Sequence, residues 1–167
     1  MKFVLTTAVF LFFTFAFQAQ DEKVIIEGTV QTEGVIPLNL EQAEPVQHTL
    51  ITVYCDDEII EQFFASADGD FDYVLNPGFV YTVIFSKSGY FEKQLVYDLK
   101  DNPDEELKAN VVTNKVTLHE NDESEEMTEL SYIPAAKCQY NLETGEIIWD
   151  VEYQQKMNEK YYSLAMQ

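Results

Sequence analysis

The sequence predicts a mainly β protein built as two packed antiparallel sheets, with a strand or hairpin and a helix added at the C-terminal end. Three observations carry this. Between residues 24 and 118, short runs rich in β-branched and aromatic residues alternate with turn residues. Several runs place their apolar side chains two apart, the period of a half-buried strand. No helical period interrupts them before the last stretch of chain, so a parallel sheet of βαβ units is not expected.

The first segment stands outside that pattern. Lys2, followed by an apolar run over residues 9–17, has the anatomy of a secretory signal peptide. The run is shorter than the ~20 apolar residues of a membrane-spanning helix, and Asp21-Glu22 follow closely. Cleavage is expected after Ala19, making residues 1–19 the signal peptide; cleavage after Gln18, with Ala16 three residues back, is the other site. No cysteine ends the segment to accept a lipid, so the mature chain is expected to be soluble, without membrane insertion, and secreted or periplasmic.

Residues 20–119 are expected to form the sandwich. Val24-Ile25-Ile26-Glu27-Gly28-Thr29-Val30 is the first strand, and a polar stretch holding Pro37 and Pro45 leads to the second at 48–55. There Ile51, Val53 and Cys55 share a face. Asp56-Asp57 turns the chain into a third strand at 59–65, and Ser66-Ala67-Asp68-Gly69-Asp70 into a fourth with Phe71, Tyr73 and Leu75 on one side. Asn76-Pro77-Gly78 opens a fifth, with Tyr81, Val83 and Phe85 together, and Ser88-Gly89 precedes a sixth at 90–99. A seventh runs over 109–118. Seven strands of this length suit two sheets face to face.

Residues 120–130 hold six acids, Glu120, Asp122, Glu123, Glu125, Glu126 and Glu129, and no lysine. Like-charge repulsion predicts an extended, solvated linker. Residues 131–167 then form an extension. Ala136, Cys138 and Tyr140 alternate as in a strand, residues 141–145 turn, and Glu146-Ile147-Ile148-Trp149 returns. Asp150 is placed to cap a terminal helix whose apolar stripe is Tyr153, Met157, Tyr161 and Leu164.

Charge excludes some partners. Of 167 residues, 30 are acidic and 10 basic, a net charge of −20, and every basic residue is lysine. Loss of residues 1–19 leaves nine lysines against 30 acids, a net −21. Phosphate backbones would repel such a chain, and without arginine it lacks the planar fork that grips phosphate, so nucleic acid is not an expected partner.

Five elements in order carry a family resemblance: Glu27-Gly28-Thr29-Val30, Leu50-Ile51-Thr52-Val53-Tyr54, Ala67-Asp68-Gly69-Asp70-Phe71, Asn76-Pro77-Gly78-Phe79-Val80-Tyr81-Thr82-Val83 and Ser88-Gly89-Tyr90. Together they resemble the carboxypeptidase regulatory-like domain of secreted and surface proteins of the Bacteroidota. The resemblance implies a seven-stranded Greek-key, transthyretin-like sandwich and a non-enzymatic accessory role. The stretch before the second strand departs from it, being lengthened by Leu38-Asn39-Leu40-Glu41-Gln42-Ala43-Glu44. In this frame Gly69 and Gly78 serve positive-φ turn positions, and Gly89 lets the chain fold back before Tyr90. The same fold hosts a ureide hydrolase that relies on histidine and arginine, and arginine is absent here.

No motif for catalysis, cofactor or metal emerges. His48 and His119 have no histidine or cysteine at metal-ligand spacing and are expected to be ordinary surface residues. Neither a GxSxG elbow nor a cysteine beside a histidine is present. Asp56-Asp57-Glu58 and Asp68-Gly69-Asp70 lack EF-hand spacing and are expected to be turns. Cys55 and Cys138, both predicted inward, are expected either to form one disulfide tying the extension to the sandwich or to remain two buried thiols. Tyr54, Phe64, Tyr90, Tyr97, Tyr161 and Tyr162 are weighed between core packing and an exposed platform for sugar rings.

The expected function is a secreted, non-catalytic binding or structural accessory at a bacterial envelope or surface, its partner an envelope protein or a glycan. The alternative is carbohydrate or peptide recognition by exposed aromatics or an open edge strand. A small hydrolase using an unrecognised carboxylate pair is the remote third.

Overall fold

The computed structural model describes residues 23–32, 43–101, 111–121 and 125–165. The predicted signal peptide and most of the lengthened stretch before the second strand lie outside these residues. Among the described residues nine strands form two sheets: β1 (Val24–Thr32), β2 (Leu50–Cys55), β3 (Glu58–Phe64), β4 (Asp70–Leu75), β5 (Val80–Ser86), β6 (Lys93–Asp98), β7 (Val111–Leu118), β8 (Ala136–Asn141) and β9 (Glu146–Trp149). Two helices complete the described fold, α1 (Glu125–Ser131) and α2 (Val151–Ala165).

The smaller sheet has the order β4-β1-β7 and the larger β3-β2-β5-β6-β8-β9. The two-sheet, mainly β architecture with a C-terminal hairpin and helix is as the sequence predicts. Two pairings differ from an antiparallel plan: β1 with β7 and β6 with β8 run parallel. Parallel neighbours need a long crossover, and five strands lie between β1 and β7, and β7 and α1 between β6 and β8. Through β8, the C-terminal extension becomes part of the larger sheet.

Period-two alternation fills the space between the sheets. Ile51 and Val53, then Tyr81, Val83 and Phe85, then Leu95 and Tyr97 line the larger sheet's inner face. Val24, Ile26 and Val30, Phe71 and Leu75, and Val112, Val116 and Leu118 meet them from the smaller one. Phe71 packs edge-on against Phe85 at 5.1 Å, and Phe63 stacks on Tyr73 at 5.6 Å, so β4 lies opposite the β3 side of the larger sheet.

The acidic stretch departs from the extended linker expected of it. Its second half is helix α1, because Met127 and Leu130, three residues apart, are buried on one side of a turn. That side meets α2, where the Tyr161 hydroxyl donates to the Leu130 carbonyl at 3.2 Å. Asp150 caps α2 by accepting the Tyr153 N–H at 2.9 Å.

Candidate functional site

Three exposed large apolar side chains, Ile59, Ile60 and Phe64, gather on one strand of the β2–β3 hairpin. Cys55 stands opposite Glu58, leaving Asp56 and Asp57 as a two-residue turn with φ of 47° and 68°. Two left-handed residues match the twist of a hairpin, and aspartate tolerates them. Beyond the turn Ile59 opposes Tyr54 and Glu61 opposes Val53, so Ile60 is an unpaired β-bulge.

Among the described residues β3 is the last strand of its sheet, and no described strand pairs with the outer side of its backbone. The Ala65 N–H donates to the Thr49 carbonyl at 2.9 Å, which fixes the alternation along the ladder. Phe63 and Glu61 therefore bond to β2, while the N–H and C=O groups of Phe64 and Gln62 point away from it. Side chains here are wet: Ile59 is 54% exposed, Ile60 45% and Phe64 65%.

The strand continues into an apolar outer face. Leu50, Thr52 and Tyr54 of β2, Val80, Thr82 and Ile84 of β5, and Val96 of β6 point outward, with no charged residue on β2 or β5. The smaller sheet's outer face is of the usual solvated kind, bearing Glu27, Asp70, Asp72, Thr113 and Lys115, with apolar groups only in the row Val74, Ile25 and Val111 at one end.

Electrostatically the hairpin is negative. Asp56, Asp57, Glu58 and Glu61 lie within six consecutive positions that hold no cation. Their field is felt nearby: the Cys55 thiol is pushed up by burial and then by Asp56 and Glu58, and the Tyr73 hydroxyl by burial and then by Glu61. Glu58 and Glu61 stand opposite Cys55 and Val53, on the side of the strand that looks toward the sandwich interior.

The other residues singled out in the sequence fall elsewhere. Cys55 and Cys138 are free thiols. They lie in one inward row, Cys55, Tyr81, Tyr97 and Cys138, three strand spacings and so about 14 Å apart, too far for a bridge. Burial, with a contribution from Asp98, pushes the Cys138 thiol up to about 12, leaving it protonated and unreactive. Gly69, Gly78 and Gly89 sit in turns with φ of 77°, 92° and 87°. In the Gly69 turn, Ser66 Oγ accepts the N–H groups of Asp68 and Asp70 at 3.2 and 3.0 Å.

His48 is exposed in a turn, whereas the His119 ring is half-buried and stacks on Tyr161 at 5.4 Å. Among the described residues no three His, Cys, Asp or Glu side chains converge as metal ligands. Of the six aromatics considered for a platform, the Tyr162 side chain lies outside those described, and the other five do not share one face. Tyr97 and Tyr161 belong to the core because they fill inward positions, while Phe64 and Tyr54 lie on the outer face of β3 and β2.

One buried polar cluster was not singled out in the sequence. Tyr97, fully buried, donates from its hydroxyl to Asn114 Oδ1 at 2.7 Å. Asn114 Nδ2 donates to the Glu27 and Val112 carbonyls at 2.9 and 2.8 Å. A Cβ on Gly28 would overlap the Asn114 backbone, so β1 and β7 approach only through glycine there. The available signal is an asparagine at an inward position of Val111-Val112-Thr113-Asn114-Lys115-Val116 and a glycine inside a strand.

No protein-family model matches the sequence, and no curated protein matches it either. Solved structures with a similar arrangement include the minor pilin GBS52 of Streptococcus agalactiae, at 11% identity and a TM-score of 0.39 over 59% of this chain and 45% of that one. The shaft pilin SpaA of Lactobacillus rhamnosus GG shares 12% identity at a TM-score of 0.38, over 59% of this chain and 51% of its own. The major plantain pollen allergen Pla l 1 shares 16% at 0.37, over 59% of this chain and 94% of its own. The chain thus spans about half the length of the two pilins. Likeness at this level carries nothing beyond the two-sheet architecture already read from the strand pairings.

Proposed function

We propose that the chain is an exported, non-catalytic β-sandwich module of a bacterial envelope or cell surface. It acts by holding a partner, an envelope protein or a glycan, against the outer face of its larger sheet. The observation that carries this is the contrast between the two outer faces. The smaller sheet presents mostly charge and threonine to water, while β2 and β5 present Leu50, Tyr54, Val80 and Ile84 with no charge among them. A lone antiparallel sheet has no need of such a face, and a covered one does.

Export is supported by the n-region and apolar run of residues 2–17, and an accessory role by the resemblance that the five ordered elements from Glu27 to Tyr90 bear to the carboxypeptidase regulatory-like domain. Among the described residues, no helix is long and apolar enough to cross a membrane.

A photo-crosslinking side chain placed singly at Ile84, Val96 or Thr113 tests the assignment in cells that export the protein. Discrete adducts from Ile84 and Val96, with none from Thr113, are the expected result. Equal labelling from both sheets, or a chain retained with residues 1–19 intact, overturns it.

A further inference from the structure

The open rim of β3 is the better-defined part of this surface, and it specifies an occupant. Gln62 and Phe64 turn their backbone donors and acceptors away from β2 along a seven-residue strand, the Gln62 N–H meeting the exposed Oε1 of its neighbour Glu61 at 3.3 Å, a contact that an incoming strand would displace, while the opposite rim, β9, has four residues and passes within two positions into α2. The period of two splits the side chains at the β3 rim. Ile59, Gln62 and Phe64 belong to the outer side, with Tyr54, Thr52 and Leu50 behind them; Glu58, Glu61 and Phe63 belong to the inner side.

A second copy is a poor fit. Edge strands resist self-pairing through bulges and inward charges, and β3 has both, at Ile60 and at Glu58 and Glu61. A like chain would bring the same carboxylates to the same rim and a second net charge of −20. No ion pair neutralises Asp56, Asp57, Glu58 or Glu61 among the described residues. The charge that blocks a copy is the charge that a cationic strand would complement.

We propose that the β3 rim is a strand-addition site for an extended segment of another protein that alternates basic with apolar residues. Its backbone pairs with Gln62 and Phe64. Its apolar side chains extend the outer face beside Phe64 and Ile59, and its lysines or arginines lie on the inner side against Glu61 and Glu58, near the Tyr73 ring. This deepens the function proposed above by naming the surface and the chemistry of the partner, and it rests on that function.

The test is binding of an end-blocked peptide of alternating lysine and valine to the full chain, by fluorescence anisotropy. Three comparisons accompany it: the same peptide N-methylated at alternate backbone positions, an alternating glutamate and valine peptide, and the Gln62→Pro and Glu61→Lys variants. Proline at 62 removes an outward N–H and no backbone bond to β2, and with it the side-chain bond from Gln62 Nε2 to Thr52 Oγ1 at 3.1 Å; the backbone ladder is untouched, so the fold is expected to survive, as thermal unfolding would show.

Binding of the lysine peptide is expected to fall at least about tenfold on N-methylation and in Gln62→Pro, and Glu61→Lys is expected to shift preference toward the glutamate peptide. Equal binding of the N-methylated peptide would reduce the effect to bulk charge attraction and overturn the proposal, as would no binding at all. Should Gln62→Pro unfold, N-methylation and Glu61→Lys decide the matter alone. Crosslinks at Ile84 and Val96 without lysine-peptide binding would refute the β3 site and leave the module function standing.

Discussion

Among single residues, Gly28 and Asn114 show how a strand motif serves packing. Gly28 lies mid-strand in β1, where glycine weakens a sheet unless something approaches closely. The something is Asn114, whose amide ties the Glu27 carbonyl to Val112 and whose Oδ1 receives the buried Tyr97 hydroxyl. One side chain thereby satisfies polar groups on β1, β6 and β7. Gly28→Ala would push a methyl group into the Asn114 backbone. We expect a loss of about 2–3 kcal/mol in urea unfolding, within the range of overpacked interiors. A variant with an unchanged midpoint would show that β1 and β7 part freely.

Among elements, α2 is the one whose attachment can be titrated. Tyr161 carries it to the sandwich: its hydroxyl donates to Leu130, its ring stacks on His119, and the Lys93 ammonium lies 4.9 Å from the ring centre. Burial, then the neighbouring Tyr153, pushes the Tyr161 hydroxyl up to about 12. The neutral phenol is therefore the form that the fold favours. Its contribution is intact below the ordinary tyrosine value of about 10 and is lost as pH rises toward about 12. Near-ultraviolet dichroism should report loosening of α2 across that window, and Tyr161→Phe, which has no proton to lose, should shift it upward. Identical alkaline profiles would remove Tyr161 from the anchoring role.

The elements also separate what the sequence makes readable from what it hides. Tyr81, Val83 and Phe85, or Tyr153, Met157 and Tyr161, announce their buried side because period and burial coincide. Helix α1 does not, since its two core residues, Met127 and Leu130, are outnumbered by acids whose repulsion argues for extension. Nor does any local pattern tell β1 to pair with β7 or β8 with β6, because pairing depends on surfaces distant in sequence. The open rim of β3 was readable as a strand bounded by Asp56-Asp57, yet its place at the end of the sheet is a property of topology.

For the whole molecule, charge is the dominant variable. Thirty acids against ten lysines leave the folded chain repelling itself, and compactness brings those charges closer than the unfolded chain does. Raising ionic strength from low values to about 0.15 M shortens the screening length to about 8 Å, so the thermal midpoint should rise by about 2–4 °C. A midpoint that stays flat or falls would mean that the acids are already compensated.

The parallel union of β1 and β7 gives the chain a timetable. Ile25 meets Val111 and Thr32 meets Leu118, so the third strand of the smaller sheet arrives only after almost everything between has emerged. Until then β1 can find β4 but not its other neighbour, and Gly28 waits for Asn114. A chain delivered N-terminus first, from a ribosome or through a pore, thus spends most of its emergence with its first strand half-dressed, and closes the smaller sheet late.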